Sequence, residues 1–310
     1  MAEAGPRRVL MLFLDGVGLG DRDPERNPLA AAELPTLEAL AGGKLVADTP
    51  AGGANGAVFR RLDAGLGVEG LPQSATGQTS LLTGLNGAEL MGRHYGPWPG
   101  PTLKRVLEQD TAFHDADGAA ALANAYPEGY FRALEGRRSR ANAPVVAARA
   151  AGVRLIDLAA YQGGVGLGAD VTGHGFQELD AALAPITPAR AAERLARLAA
   201  SHAFTFYDVW PTDRFGHQQR HADAVTLLEA IDGLVAALAP LLGETTLVLT
   251  SDHGNVEDLS TSRHSFNPVP LLALGPDAGA YARAADLMDV GNVTRALLGK
   301  RGGAVLNRPA

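Results

Sequence analysis

Five short apolar runs constrain the fold of this chain more strongly than any other feature. They are residues 9–14, 153–158, 204–209, 246–250 and 269–274. Each has the length of one strand and is almost continuously apolar, which is typical of strands buried in a parallel sheet. Helical patterns lie between them, most clearly at residues 189–200 and 222–238, and Pro188 stands where a helix favours proline in its first turn. This alternation predicts an α/β domain with a mostly parallel sheet.

The middle of the chain, from about residue 93 to residue 180, has a different composition. It is rich in Gly, Pro and Arg, and its hydrophobic periodicity is weak. We therefore predict that residues 93–180 form a small cap inserted into a core made of residues 1–92 and 181–310, although the run at 153–158 could belong to the core. A chain of 310 residues is long enough for one large core and a modest second lobe.

Composition excludes several classes of function. The formal net charge is −7, and the densest basic run, Arg137, Arg138 and Arg140, is typical of a solvated loop, so we expect no nucleic-acid partner. The absence of cysteine excludes disulfides, thiolate metal sites and cysteine nucleophiles. The apolar run at 9–14 is too short for a signal peptide or a membrane span, so we expect a cytoplasmic protein without a membrane partner.

Acidic and histidine side chains flank the predicted strands. Their residues are Asp15, Asp213, His217, Asp252, His253 and His264. Ligands of an open α/β sheet bind outside the carboxyl ends of its strands, and most of these side chains follow a strand there. Carboxylates and neutral imidazoles bind zinc and manganese, and carboxylates also suit magnesium. Three Asp and three His are enough side chains to hold two divalent cations.

A hydroxyl-rich segment, SATGQTSLLTG at residues 74–84, supplies a candidate nucleophile. Ser74 precedes a short predicted helix, whose first turn offers free backbone N–H groups and a positive dipole end that favour a bound phosphate. A hydroxyl whose pKa is lowered there can attack phosphorus. The segment alone leaves two alternatives open: Ser74 can be only the N-cap of the helix, and Thr76 and Thr79 are rival hydroxyls.

Taken in order, these motifs resemble those of the alkaline phosphatase superfamily, most closely the branch with cofactor-independent phosphoglycerate mutase and phosphopentomutase. The matching runs are FLDGVG at 13–18, SATGQ at 74–78, DRFGH at 213–217, SDHGN at 251–255 and RHSFNPVP at 263–270. The nucleophile of that branch stands three residues before a Gly followed by His, which selects Ser74, although Gln78 replaces the His. In the related sulfatases and nucleotide phosphodiesterases it stands nine residues before the Thr of an LLTG-like motif, which again selects Ser74.

The resemblance covers about residues 7–92 and 200–275, and it implies a three-layer α/β/α fold with a small inserted cap. It also implies two divalent metal ions, manganese or zinc, with magnesium a further option. The implied ligands are Asp213, His217 and His264 for one ion, and Asp15, Asp252 and His253, with Ser74 on or beside it, for the other. Ser74 is then the nucleophile, and a phosphoseryl enzyme is the intermediate.

The implied substrate is a small-molecule phosphate ester, but the overall reaction stays open. A phosphatase or phosphodiesterase is favoured, because the insertion is shorter than that of the phosphoglycerate mutases and a mutase must exclude water from its intermediate. The alternatives are a phosphomutase and, from another class, a non-catalytic metal-binding relic. His94, Lys104 and Arg132 are candidate substrate-binding residues in the cap.

Overall fold

The computed structural model describes residues 7–136 and 140–299, so Arg137 and Arg138 of the basic run lie outside the described residues. Its strands are Arg8–Leu14 (β1), Val58–Leu62 (β2), Ala120–Leu122 (β3), Ala125–Tyr126 (β4), Ile156–Asp157 (β5), Phe204–Val209 (β6), Thr245–Thr250 (β7) and Val269–Leu274 (β8). Six of them form one sheet in the order β2-β8-β7-β1-β6-β3, while β4 and β5 pair separately. The centre of the sheet is the apolar strand β1, which pairs in parallel with both β6 and β7.

Most of the sheet is parallel, as predicted, but the last strand is not. We predicted a parallel strand at 269–274, and β8 pairs antiparallel with both β2 and β7. The direction of a strand depends on the path of the connection before it, which the apolar run itself does not encode. The reversal matters for the site, because it brings the beginning of β8 to the edge where β1, β6 and β7 end.

Helices cover both faces of the sheet and complete three layers. Their bounds are Pro28–Ala31 (α1), Pro35–Ala41 (α2), Ser74–Thr83 (α3), Gly87–Met91 (α4), Pro101–Leu107 (α5), Ala112–Asp115 (α6), Glu128–Glu135 (α7), Ala143–Ala150 (α8), Leu158–Gln162 (α9), His174–Gln177 (α10), Pro188–Ser201 (α11), Pro211–His217 (α12), His221–Leu238 (α13) and Leu287–Leu297 (α14). Alternate residues of β1 point into two separate apolar clusters. Helices α1, α2, α11 and α13 pack in one cluster, and α3, α5, α8 and α14 pack in the other.

The predicted cap region consists of two parts, of which one joins the main sheet and the other does not. Its strand β3 extends the main sheet beside β6, and its helices α5 and α8 pack on one face of that sheet. By contrast, β4 and β5 form a two-stranded sheet with a small apolar cluster around Tyr161 and Leu183. The boundaries of the cap, 93 and 180, therefore stay a prediction.

Strand β4 was not predicted from the sequence, and three further strand assignments need correction. The strand expected at 153–158 is reduced to β5, which pairs with β4 and stays outside the main sheet. Strands β2 and β3 were not predicted. The sequence of β2 is VFRRL, with two arginines, and that of β3 is the short run AAL, so neither has the apolar, β-branched composition that indicates a buried strand.

Helix α13 is strongly apolar. Among the described residues, the segment His221–Leu241 is the one helix long and apolar enough to cross a membrane. Its side chains Leu228, Ile231, Leu234 and Val235 are buried in the core against the sheet. A core helix passes the same test of length and hydropathy, so this segment is weak evidence for a membrane span.

Candidate metal centre

The edge of the sheet brings the six predicted ligands together. Asp15 directly follows β1, Asp252 and His253 follow β7, and α12, which carries Asp213 and His217, begins just after β6. His264 precedes β8, and it reaches the same edge because β8 runs antiparallel to β7. The carboxyl edge of the parallel strands is where an open α/β sheet forms its ligand crevice.

The first group of side chains consists of Asp213, His217 and His264. The Nε2 atom of His217 lies 3.4 Å from Asp213 Oδ2, and that of His264 lies 3.6 Å from Asp213 Oδ1. The two Nε2 atoms are themselves 3.2 Å apart. One oxygen or nitrogen from each residue falls within 4.8 Å of the others, a grouping that can hold one metal ion. His217 is 44% exposed, so the centre is open to solvent on this side.

The second group is more deeply buried and contains Asp15, Asp252 and His253. His253 Nε2 lies 3.4 Å from Asp15 Oδ1 and 3.6 Å from Asp252 Oδ2. Asp213 also comes close, because one carboxylate oxygen of it lies within 4.8 Å of ligand atoms of Asp15 and His253. Asp213 therefore stands between the two groups, whereas the sequence assigned it to the first alone.

Ser74 stands at the second group. It is the first residue of α3, and its Oγ lies 3.0 Å from His253 Nε2. The N-cap position belongs to Gln73, which makes no capping side-chain hydrogen bond. The rival hydroxyls have other partners, since Thr76 donates to Gln73 O and Thr79 to Ala75 O. Ser74 is therefore the hydroxyl of this segment that faces the candidate ligands.

Two glycines allow the segments of the site to approach so closely. A Cβ on Gly77 would lie 2.8 Å from both Cβ and O of Asp252, so a larger residue would push α3 away from that loop. A Cβ on Gly16 would lie 2.6 Å from Asp213 Oδ1, and its φ of +66° is also one that glycine adopts readily.

The donor set fits divalent cations. The Nδ1 atoms of His217 and His264 lie 2.7 Å from the carbonyl oxygens of Ser262 and Pro72, so each ring can donate there and turn a free Nε2 lone pair inward. His253 has a longer contact of the same kind, 3.4 Å, to Gly254 O. Asp15 Oδ1 is buried and has no hydrogen-bond partner among the described residues. Buried carboxylates without donors are expected where a cation binds.

The electrostatics of these side chains agree with this interpretation. Burial, followed by the charges of Asp252 and Asp213, raises the pKa of Asp15 well above its usual range. Burial raises the pKa of Asp252 to about 7 and lowers that of His264 to about 4. The hydrogen bond with Asp213 raises the pKa of His217 to about 9. So many acids in one buried place repel one another, and cations would relieve that repulsion.

Three supporting residues were missed by the sequence reasoning. Asn255 donates to Asp213 Oδ1 at 2.6 Å, and Gln78 donates to carboxylate oxygens of the second group. Glu257 is buried and accepts from the backbone N–H groups of Gly18 and Asn255 and from the Asn267 side chain. It thereby ties the loop after β1 to the loop that carries His264. The position of Asn255 and Glu257 just after the SDHG run was the available signal.

A groove of about 990 Å³ adjoins the first group. His264 forms part of its wall, together with His94, Arg93, Arg263 and the exposed ring of Phe266. Its walls also carry two acids, Glu69 and Asp258.

Only one of the three candidate substrate-binding residues lies at this groove. His94 lines the groove, with Nε2 at 3.1 Å from Gly65 O and 3.2 Å from Val68 O. Lys104 in α5 and Arg132 in α7 do not line it, and Arg132 is largely exposed beside Glu128. Their roles stay predictions.

Comparisons with known proteins agree with the motifs. A family model described as the Metalloenzyme superfamily matches residues 183–299, a range that includes all the candidate ligands except Asp15. Over 81 residues the chain is 37% identical to the 2,3-bisphosphoglycerate-independent phosphoglycerate mutase of Halobacterium salinarum. Over 80 residues it is 35% identical to that of Haloarcula marismortui. The matches cover 24% of this chain and only 16% and 15% of those two relatives, about a sixth of their length.

Solved structures share the fold over nearly the whole chain. The protein PH0037 of Pyrococcus horikoshii aligns with a TM-score of 0.58 and 16% identity, over 96% of this chain and 99% of that one. The alkaline phosphatase of the Antarctic bacterium TAB5 aligns with a TM-score of 0.54 and 10% identity, over 94% and 98% of the two chains. These structural matches show that the chain has the fold of the alkaline phosphatases, and residues 183–299 match the Metalloenzyme superfamily. The predicted three-layer fold with a mostly parallel sheet is thereby confirmed.

Proposed function

We propose that this chain is a metal-dependent phosphoryl-transfer enzyme that acts on a small-molecule phosphate ester through a phosphoseryl intermediate at Ser74. The observation that carries the proposal is the contact of 3.0 Å between Ser74 Oγ and His253 Nε2, at the edge where the six candidate ligands converge. A hydroxyl held at the first turn of a helix, beside a centre for cations, is suited to attack a bound phosphate.

The residues of the chain have distinct tasks in this proposal. Asp213, His217 and His264 would hold one divalent ion, and Asp15, Asp252 and His253 the other. Such ions, manganese or zinc, supply positive charge that lowers the pKa of a bound hydroxyl and neutralises the phosphoryl oxygens. The free N–H groups of the first turn of α3 help to hold the phosphate.

The reaction has two steps. In the first, Ser74 Oγ loses its proton and forms a bond to phosphorus while the bond between phosphorus and the ester oxygen breaks, and the leaving alcohol gains a proton. In the second, an acceptor hydroxyl attacks the phosphoseryl group and restores the Ser74 hydroxyl. If the acceptor is water the enzyme is a hydrolase, and if it is a second hydroxyl of the substrate the enzyme is a mutase.

We favour hydrolysis by a phosphatase or phosphodiesterase. The side of the centre at His217 is open, and the groove beside His264 is wide, so water can reach the intermediate. A phosphomutase is the second candidate, and the identity with phosphoglycerate mutases supports it. The small lobe around β4 and β5 would then be the cap that closes over the intermediate. A non-catalytic relic is disfavoured, because a relic has no need to keep Ser74.

The groove supports a polar substrate. Among the described residues, neither Arg93 nor Arg263 forms an ion pair with an acidic side chain, although the Arg93 guanidinium lies 5.7 Å from the centre of the Tyr95 ring, and both arginines line the groove. We therefore expect the part of the substrate beyond the phosphoryl group to lie in this groove, near His94.

The test is turnover of p-nitrophenyl phosphate and of bis-p-nitrophenyl phosphate by the protein loaded with manganese or zinc. Release of nitrophenol from either compound supports hydrolysis. Isomerisation of glycerate, pentose or hexose phosphates without release of phosphate supports the mutase. A protein that binds no divalent metal after supplementation would overturn both enzymatic readings, and a protein that binds metal without any turnover would favour the relic.

A further inference from the structure

The side chain of Gln78 is buried beside the candidate ligands of the second metal ion. Gln78 is 2% exposed and lies one turn after Ser74 in α3, on the same face of the helix. Its Nε2 donates to Asp15 Oδ2 at 3.4 Å and to Asp252 Oδ2 at 3.1 Å. A single amide group therefore joins two carboxylates that come from two different strands, β1 and β7.

This bridge determines which carboxylate oxygens remain free. The contact to Gln78 engages Oδ2 of Asp15 and leaves Oδ1 without a hydrogen bond among the described residues, 3.4 Å from His253 Nε2. Asp252 Oδ1 is in turn fixed by the backbone N–H of Gly16 at 3.3 Å. The orientation of both carboxylates is thus set by donors on one side, and the free oxygen of Asp15 faces the imidazole.

We propose that Gln78 is a positioning residue for the second metal ion: its amide holds Asp15 and Asp252 in the orientation that presents the free Asp15 oxygen beside His253. This inference rests on the proposed function, since it concerns the same metal centre. Ligating carboxylates in metal sites are themselves hydrogen-bonded, and removal of such a partner weakens metal binding by roughly 10- to 100-fold. A neutral amide also adds no charge to a cluster that is already strongly acidic.

The carbonyl oxygen of the Gln78 amide suggests an alternative to the positioning role. Gln78 Oε1 is buried and has no hydrogen-bond partner among the described residues. If the amide turned over, this oxygen would face Asp15 and Asp252 and could itself bind the cation. The two roles predict opposite effects of a carboxylate at position 78: a lost donor weakens metal binding, whereas a better oxygen ligand strengthens it.

The experiment is calorimetric titration of Mn²⁺ into the metal-free protein of 310 residues and into its variants, with the thermal unfolding of each metal-free protein measured in parallel. Gln78→Met keeps the size of the side chain and removes the donor. We expect it to weaken binding at the second site by roughly 10- to 100-fold and to leave the site of Asp213, His217 and His264 unchanged. Gln78→Asn, whose shorter amide cannot reach both carboxylates, provides the same test if the Met variant does not fold.

Thr79→Val is the matched control. Thr79 is also buried on the same helix, but its hydroxyl donates to Ala75 O and forms no hydrogen bond with a carboxylate among the described residues. We expect this variant to bind Mn²⁺ as the unchanged protein does. A merely structural role of Gln78 would alter the thermal unfolding of the metal-free protein and leave its metal affinity as it was, which would overturn the proposal.

Three further outcomes separate the proposals. Tighter binding by Gln78→Glu would show that an oxygen at this position coordinates the ion, and it would overturn the positioning role while leaving the proposed function intact. If the unchanged protein bound no Mn²⁺, the proposed function itself would fail, and the inference about Gln78 with it. If the unchanged protein bound two ions and Gln78→Met bound both as tightly, only the inference about Gln78 would be wrong.

Discussion

At the scale of single residues, the chemistry depends on which polar atoms have no other partner. One short helix carries the hydroxyls of Ser74, Thr76 and Thr79. These hydroxyls differ in the groups that surround them. The Thr hydroxyls are engaged by carbonyl oxygens, whereas that of Ser74 contacts an imidazole of the candidate centre. The neighbours of Ser74 therefore select it as the candidate nucleophile, a property that the segment by itself does not show.

Replacement of Ser74 by Ala tests this selection. We expect the Ser74→Ala variant to fold normally, because only a small hydroxyl is removed, and to lose phosphoryl transfer by on the order of 10³-fold or more. The measurement is steady-state turnover of p-nitrophenyl phosphate at saturating metal. Thr79→Val should keep its activity. An alanine variant with full activity would disprove the role of Ser74.

The candidate ligands could be predicted from the sequence because Asp and His flank several apolar runs and together form one ordered set of motifs. The residues that hold these ligands in place by hydrogen bonds could not be predicted in this way. Gln78 and Asn255 act by hydrogen bonds to Asp15, Asp252 and Asp213, which lie 42 to 174 residues away along the chain. An amide has no chemical signature of its own in a sequence, so its partners appear only when the fold is known.

At the scale of elements, helix α3 must approach the loop after β7 very closely. Gly77 is the point of contact, and a Cβ there would meet Asp252 at 2.8 Å. We expect Gly77→Ala to cost about 1–3 kcal/mol of unfolding free energy through overpacking and to weaken metal binding as well, because the helix must move away from Asp252. Chemical denaturation and Mn²⁺ titration are the measurements.

A second glycine in a helix is the control for that substitution. Gly129 lies in α7, and a Cβ on it would meet nothing within 4 Å. Gly129→Ala should be neutral or stabilise the protein by up to about 1 kcal/mol, because Ala favours the helix over the unfolded chain. Equal destabilisation by both substitutions would contradict the close-approach argument.

A buried arginine joins the end of the same helix to two other segments. Arg295 of α14 donates to Thr83 O, the last residue of α3, at 2.6 Å and to Asp115 Oδ2 at 2.6 Å, and it also pairs with Asp110. Removal of one partner from a buried ion pair costs about 3–5 kcal/mol. We expect Arg295→Met to lower the unfolding free energy by about this amount, as measured by denaturant titration.

The control for Arg295 is a surface pair of the same type. Arg22 and Asp48 are 2.9 Å apart, and both are more than half exposed. Because water screens exposed charges, Arg22→Met should leave the unfolding free energy nearly unchanged. A similar loss from both variants would mean that burial does not determine the value of the Arg295 pairs.

Among the elements, the sequence predicted those with a strong pattern. Strands β1, β6 and β7 and helices α11 and α13 lie within one residue of their predicted bounds. Strand β3 has only three residues, two of them alanine, and its place in the sheet depends on its pairing with β6. Such a strand is specified by tertiary contacts, so local composition cannot reveal it.

At the scale of the whole molecule, the fold separates stability from chemistry. Two apolar clusters fill the two faces of the sheet, and the acidic and imidazole groups lie together at one edge. The core can therefore remain intact while the centre carries several carboxylates that repel one another. Without cations, that repulsion is relieved by protons, so metal binding and proton release are expected to be linked.

The sign of this linkage follows from the pKa values. Burial raises the pKa of Asp252 to about 7, and the hydrogen bond with Asp213 raises that of His217 to about 9, so both hold protons at pH 6 in the metal-free protein. Metal ligands must be deprotonated. The affinity for Mn²⁺ should therefore rise as pH increases through about 7 and again toward about 9, by up to about tenfold per pH unit for each proton released.

Calorimetric titration of Mn²⁺ in two buffers of different ionisation enthalpy measures both quantities, the affinity and the number of protons released. We expect more protons to be released at pH 6 than at pH 9, since at the higher pH Asp252 has already lost its proton and His217 has lost about half of its own. His217→Gln should abolish the step near pH 9 and keep the one near pH 7, because only the imidazole titrates there. Affinity that stays constant from pH 6 to pH 9 would show that the ligands are already free of protons, and that repulsion among these acids is not what the metal ions relieve.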